Sequence, residues 1–179
     1  MTEMSDTGIG DVERRFILHW GEMGARWGIN RTVAQIHALL YLSPRPMHAE
    51  EIAATLAVAR SNVSNSLREL QGWGLVKIAH VLGDRRDHFE SLKDIWKMFD
   101  IVAAERKRRE VDPTVEFLKE LDAREDGSPY TRARVGEMLQ FFESMTGFYQ
   151  EVQKLPSGAL PALVKLRGKI RKLLAGGKR

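Results

Sequence analysis

Between Arg60 and Arg68 the chain sets Arg60, Ser61, Asn62, Ser64, Asn65 and Arg68 around two apolar residues, with no acid among them. Short amides, hydroxyls and guanidinium groups at this density suit one kind of chemistry, hydrogen bonding to the edges and backbone of nucleic acid. Asn can bond adenine at two edge atoms, Arg can bond guanine bidentately or neutralise a phosphate, and Ser can donate or accept at either. Arg85 and Arg86 add two more guanidinium groups in the turn-like run Gly83-Asp84-Arg85-Arg86. A Ser/Asn-rich run alone would equally suit a surface loop, so its meaning depends on the elements that hold it.

Val63, Leu67 and Leu70 recur at i, i+4 and i+7, which predicts a helix with an inward apolar face and turns the six polar residues outward. Ser and Asn are each roughly 0.5 kcal/mol poorer than Ala in a helix, so something other than local preference selects them. Gly72 and Gly74 are its stop signals, Leu75 can supply the apolar contact of a glycine C-cap, and Trp73 is expected to pack rather than to bind. Upstream, Val12, Phe16, Met23 and Trp27 predict a helix over 11–27, ended by Gly28-Ile29-Asn30, and Val33, Ile36, Leu39 and Leu40 predict one over 32–42, ended by Pro44 and Pro46. A third helix starts after His48, with Glu50 and Glu51 in its first turn, where negative charge suits the helix dipole. Downstream, Leu75 to Val81 reads as a strand, 83–86 as a turn and His88-Phe89-Glu90 as a returning strand.

The second half reads as helical. Ser91 is a candidate N-cap with Asp94 after it, opening a helix to about Val111 with Leu92, Ile95, Trp96, Phe99, Val102 and Ala103 on one face. Asp112-Pro113 reads as an N-cap and first-turn proline, hence a break or kink before a helix carrying Val115, Leu118 and Leu121. From Pro129 to about Leu155, the residues Val135, Met138, Phe142, Met145, Tyr149 and Val152 follow a heptad pattern, widened by Leu139, Phe141 and Phe148. That stripe is expected to meet a second copy of the chain, assisted by the helix of Val12, Phe16 and Met23; the alternative is a hairpin with the helix of Val115 and Leu118. A last amphipathic helix is expected over 162–174.

Composition narrows the function classes. With 179 residues, 43% hydrophobic and 29% charged, the chain suits one core domain with helical arms. It has no cysteine, no apolar run long enough to span a membrane and a polar, acidic start, so a cytoplasmic location is expected. The five His are scattered without metal spacing, Gly8-Ile9-Gly10 is too short for a phosphate loop, and no nucleophile elbow is present. We therefore expect no enzyme: no catalytic residue, no metal and no cofactor. Basic residues cluster at Arg106 to Arg109 and again from Lys165 to Arg179, where seven Lys or Arg occur without an acid. Either run can be a solvated helix face. The second would also suit an anionic bilayer, although a membrane role is not the expectation.

Helix, helix, helix and two-stranded wing is the order of a winged helix-turn-helix, in which the Ser/Asn-rich helix enters the DNA major groove. At these residues the chain resembles a known family. The run MHAEEIAATLAVARSNVSNSLRELQGWGLVKIAHVLGDRRDHFESL resembles MarR-type winged-helix regulators and their GbsR-like branch. Asp84-Arg85-Arg86 looks like the Asp-x-Arg wing motif, and Glu105 to Thr114, ERKRREVDPT, is similar to the GbsR branch. Ala59 departs from the pattern, standing where relatives commonly place a capping Ser or Thr, so an N-cap hydrogen bond is expected to be missing.

The expected architecture is mainly α: an N-terminal tail and arm over 1–27, a winged helix-turn-helix with a two-stranded wing over 28–92, and a C-terminal dimerisation and ligand-sensing region over 93–179. The expected DNA-contacting residues are Arg60, Ser61, Asn62, Ser64, Asn65, Arg68, Arg85 and Arg86. The resemblance implies a bacterial or archaeal homodimeric repressor whose partners are double-stranded operator DNA, a second copy and a small-molecule effector, with a quaternary ammonium the candidate. Trp20, Trp27, Trp96, Phe99, Tyr130, Phe141 and Tyr149 are candidate walls for such a cation. The competing class is a winged-helix adaptor for protein or membrane, whose exposed helix face should instead be apolar.

Overall fold

The computed structural model describes residues 9–124, 126–154 and 159. The expected last helix and the Lys165 to Arg179 cluster lie outside the described residues. The chain divides into two compact units, Met1–Ala103 and Ala104–Arg179.

In the first unit, α1 (Asp11–Arg26), α2 (Arg31–Leu42), α3 (Ala49–Leu56) and α4 (Arg60–Gly72) precede a small antiparallel sheet. Asn30 begins α2 by accepting from the Thr32 N–H at 2.8 Å. Helix α4 has no side-chain cap at Ala59, as its sequence led us to expect. It ends at a left-handed Gly74 (φ +76°), with the Leu75 N–H returning to the Leu70 carbonyl at 3.0 Å and Leu75 buried beneath it. Ile36, Leu40, Ile52, Val63 and Leu70 form the most deeply buried part of the core, each contributing about 1.5–3 kcal/mol. Trp73 packs half-buried against this core.

The expected two-stranded wing is β2 (Val76–Ala79) paired with β3 (His88–Ser91), and a further strand that the sequence did not reveal, β1 (Met47–His48), pairs with β3 to give the order β1-β3-β2. A two-residue strand is too short to leave a period-2 signal. Two other expectations need correction. Helix α1 buries Ile17, Gly21 and Gly24, while Val12 and Trp27 stay 78% and 48% exposed. Glycine forms this seam because a Cβ at position 24 would lie 2.5 Å from the Ala34 Cβ and one at 21 would lie 2.6 Å from the Gln35 Cγ. A hydrophobic pattern cannot register such a face. Ser91 belongs to β3, and Asp94 caps α5 (Ile95–Arg106), accepting from the Trp96 N–H at 2.9 Å and the Lys97 N–H at 3.2 Å. Of α5, Met98 is buried, whereas Ile95, Trp96 and Phe99 are exposed.

In the second unit, where a break or kink was expected at Asp112-Pro113, the helix does not break. A π-helical turn, Lys107–Val111, carries the chain into α6 (Asp112–Asp122), and Asp112 is itself helical (φ −59°, ψ −46°). Pro113 has no N–H and its ring crowds the carbonyl four residues back; the wider π turn accommodates it without ending the helix. Asp112 binds Lys107 instead of capping, and Arg106 and Arg108 pair with Glu110 and Glu105. Ser128 caps α7 (Pro129–Gln153) through the Thr131 N–H at 3.1 Å. Helices α6 and α7 form a hairpin joined by Lys119 and Glu143 at 3.2 Å. The intramolecular alternative for α7 is thus realised, and it uses only part of the apolar stripe: Phe142 and Tyr149 are half-buried, while Met138, Phe141, Met145 and Phe148 remain exposed.

Candidate nucleic-acid interface

Helix α4 is amphipathic in the sense required. Val63, Ser66, Leu67 and Leu70 are buried, while Arg60, Ser61, Asn62, Asn65 and Arg68 are exposed and Ser64 is half-buried. The Ser61 and Asn62 side chains make no hydrogen bond among the described residues and lie open to a ligand. The others are already engaged. Arg60 donates from Nε to Glu50 Oε1 at 2.8 Å and from Nη1 to Ser64 Oγ, and Ser64 Oγ donates to the Arg60 carbonyl at 3.2 Å. Arg68 Nη1 donates to Asn65 Oδ1 at 3.2 Å. These contacts hold the long side chains along the helix, where they can exchange a protein acceptor for a base or phosphate.

The wing presents its two arginines differently. Gly83 (φ +84°) turns the hairpin, and the tip residue Leu82 is fully exposed. Asp84 accepts from Arg86 Nε at 2.9 Å, from its Nη2 and from its backbone N–H at 3.0 Å. The Arg86 guanidinium accordingly holds the Asp84 carboxyl well below the ordinary carboxylate range. Arg85 is exposed and has no partner among the described residues. A cavity of about 400 Å³ separates the two elements, lined by Glu50, Arg60, Ser64, Arg68, Arg86 and Phe89 among others.

The residues that aim these cations were not among the expected site residues. Glu50 was read as a helix-dipole partner, yet its carboxyl, lowered to about 2, is held there chiefly by Arg60. His48 was read only as the residue before α3, yet its Nε2 lies 3.0 Å from Arg86 Nη1. The Asp-x-Arg spacing was the available signal for Asp84. Of the candidate aromatic walls, Trp20 stacks on Phe16 at 5.3 Å, Phe141 meets Phe142 edge-on, and Tyr130 lies beside Arg134.

Three helices with the third exposed beside a β hairpin define a winged helix-turn-helix, the class that lays that helix in the DNA major groove. Residues 27–87 match the MarR family. Over most of its length the chain is similar to two proteins of Bacillus subtilis (strain 168). It is 24% identical over 136 residues to the HTH-type transcriptional repressor GbsR, covering 72% of this chain and 75% of that one. It is 22% identical over 155 residues to YvaV, provisionally an HTH-type transcriptional regulator, covering 82% and 86%. Both relatives are named as transcription regulators rather than enzymes. A crystal structure of a transcriptional regulator shares the fold, with a TM-score of 0.60 and 24% identity over 79% of this chain and 95% of that one.

Proposed function

We propose that this DNA-binding transcription regulator is a homodimeric repressor acting in the cytoplasm, with residues 28–92 reading DNA and the flanking helices pairing two copies. The observation that carries the reading is the outward face of α4, where Ser61 and Asn62 stand uncommitted among Arg60, Asn65 and Arg68, beside the free Arg85 of the wing. In the major groove Asn62 and Asn65 read base edges, while Arg60, Arg85 and Arg86 neutralise phosphates. No large apolar side chain stands on that face, which disfavours an adaptor role.

Two exposed apolar stripes support pairing: Val12 and Trp20 on α1 with Trp27 just past its end, and Met138, Phe141, Met145 and Phe148 on α7. The similarity to GbsR supports the repressor sense, and the resemblance to its branch makes a choline-like quaternary ammonium the first effector to try. Footprinting on DNA upstream of the protein's own gene tests the reading. Protection of two half-sites about one helical turn apart is expected, as for a two-fold dimer. Binding that is equally strong to any duplex would overturn sequence-specific regulation.

A further inference from the structure

We propose that His48 is a positioning residue that clips the wing to the start of α3, beside the reading helix, and that the clip opens when the imidazole takes up a proton. The effect at the operator rests on the DNA-binding reading above; the clip itself does not.

His48 closes β1 and occupies the N-cap position of α3, with its side chain 18% exposed. Its Nε2 lies 3.0 Å from Arg86 Nη1 and its Nδ1 lies 3.0 Å from Glu50 Oε2. A guanidinium only donates, so Nε2 accepts, and the single proton of the neutral ring sits on Nδ1, donated to Glu50. The Glu51 N–H, 3.3 Å from the same Nδ1, could be accepted only in the other tautomer, which would turn an N–H against Arg86. The other Glu50 oxygen takes Arg60 Nε at 2.8 Å. A continuous path, Arg86 to His48 to Glu50 to Arg60, therefore joins the wing to the first residue of α4.

The charged groups around the ring come from each element packed there. They are Glu50 and Glu51 from α3, Arg86 with its partner Asp84 from the wing turn, His88 from β3 and, through Glu50, Arg60 from α4; Arg68 and Asp87 line the adjoining cavity. In the imidazolium both ring nitrogens donate. Nδ1 keeps Glu50, while Nε2–H faces Arg86, losing a hydrogen bond and setting two cations together. Arg86 remains with Asp84, so the wing keeps its own turn but loses its tie to α3. His88 acts in the opposite sense. Its Nδ1 lies 3.0 Å from the Arg86 carbonyl, to which it donates, and its Nε2 is 3.5 Å from Asp84 Oδ2, so protonation there draws the turn together.

The absence of cysteine allows a nitroxide at Leu82→Cys to report the wing tip alone. In the native background the label should be slow at pH 8 and faster at pH 5. His48→Gln, whose amide can accept from Arg86 and donate to Glu50, should be slow at both, and His48→Ala fast at both. His88→Gln should keep the native response. Circular dichroism checks that each variant is folded. Equal label mobility in the native protein and His48→Ala at pH 8 overturns the clip; a pH response that persists in His48→Gln, or vanishes in His88→Gln, overturns its titration. The readout contains no DNA, so failure to bind any duplex would count against the regulator reading and leave the clip to the label. On duplex, His48→Ala should weaken binding by about two- to fivefold, the scale of a partly exposed pair, with the same loss on acidification absent from His48→Gln.

Discussion

The winged-helix unit closes on itself, burying Ile36, Leu40, Ile52, Val63 and Leu70 almost completely, whereas Leu118 is the one buried apolar side chain described in the second unit. There, Met138, Phe141, Met145 and Phe148 are all more than half exposed. An exposed apolar row of this length marks an interaction surface. The contrast separates two tasks: one unit holds a polar face rigid from behind, and the other leaves an apolar face unfinished. The largest expected effect breaks the second task. Phe141→Asp with Phe148→Asp should give a folded monomer by light scattering. Its operator binding should weaken on the order of 100-fold, because the second half-site contact is no longer intramolecular. Unchanged mass and affinity would refute pairing through α7.

Leu70→Ala tests the other side of the comparison. Leu70 is 1% exposed, so a cost of about 2–5 kcal/mol in denaturant unfolding is expected. Phe148→Ala should cost the isolated fold almost nothing. Equal costs would erase the distinction between the two regions.

Inside the closed unit, His37 adds a pH dependence. It is 9% exposed, its Nε2 has no partner among the described residues, and burial, assisted by the nearby Lys93 cation, lowers its pKa to about 4. Because the folded value lies below the unfolded 6.5, the unfolded state binds the proton more readily. Stability is therefore full above pH 6.5 and is lost as pH falls toward 4, by about 3 kcal/mol in total. His37→Leu should flatten this window in pH-dependent melting. Unchanged acid sensitivity would assign it to another group.

The same contrast governs how much the sequence disclosed. Val63, Leu67 and Leu70 declared the reading helix because a half-buried helix prints its inward face in apolar residues. Gly21 and Gly24 hid the α1–α2 seam because close approach is written in missing side chains. On α7 the heptad reading placed Met138 and Met145 on the same face as Phe142 and Tyr149; the structure exposes the first two and half-buries the others. A helix with two apolar stripes looks like one wide stripe until its neighbour is placed. At the site, the candidate polar residues of α4 were visible by type, but Glu50 and His48 were not. Their roles depend on contacts such as His48 to Arg86, 38 positions apart, which no local spacing encodes.

Smaller effects sharpen the reading face. Asn62→Ala should reduce discrimination at one base pair by about 1–3 kcal/mol while leaving the fold unchanged, since Asn62 is exposed. Arg85→Ala should instead weaken all duplexes alike and flatten the log-log salt dependence by about 0.9 units for one lost phosphate contact. Anisotropy titrations on matched and mismatched duplexes across salt separate the two. Sequence preference unmoved by Asn62→Ala would mean that α4 presents another residue to the bases.

The smallest effect returns to the unfinished region. Gly147 lies within α7, and a Cβ there would meet nothing within 4 Å in the chain itself. Glycine in a helix interior costs about 1 kcal/mol relative to Ala. Gly147→Ala should accordingly raise the stability of the helical hairpin by that amount, if this part of α7 faces only solvent. At Gly136 the added Cβ would sit 3.4 Å from Asp122 Oδ1, an ordinary contact within the hairpin, so Gly136→Ala should gain slightly less. Thermal melts at several protein concentrations distinguish the alternatives. A gain independent of concentration puts Gly147 outside the interface between copies. A loss that deepens on dilution means that a second copy approaches α7 too closely at this point for a methyl group, moving the interface from the Phe141–Phe148 stripe toward the glycine.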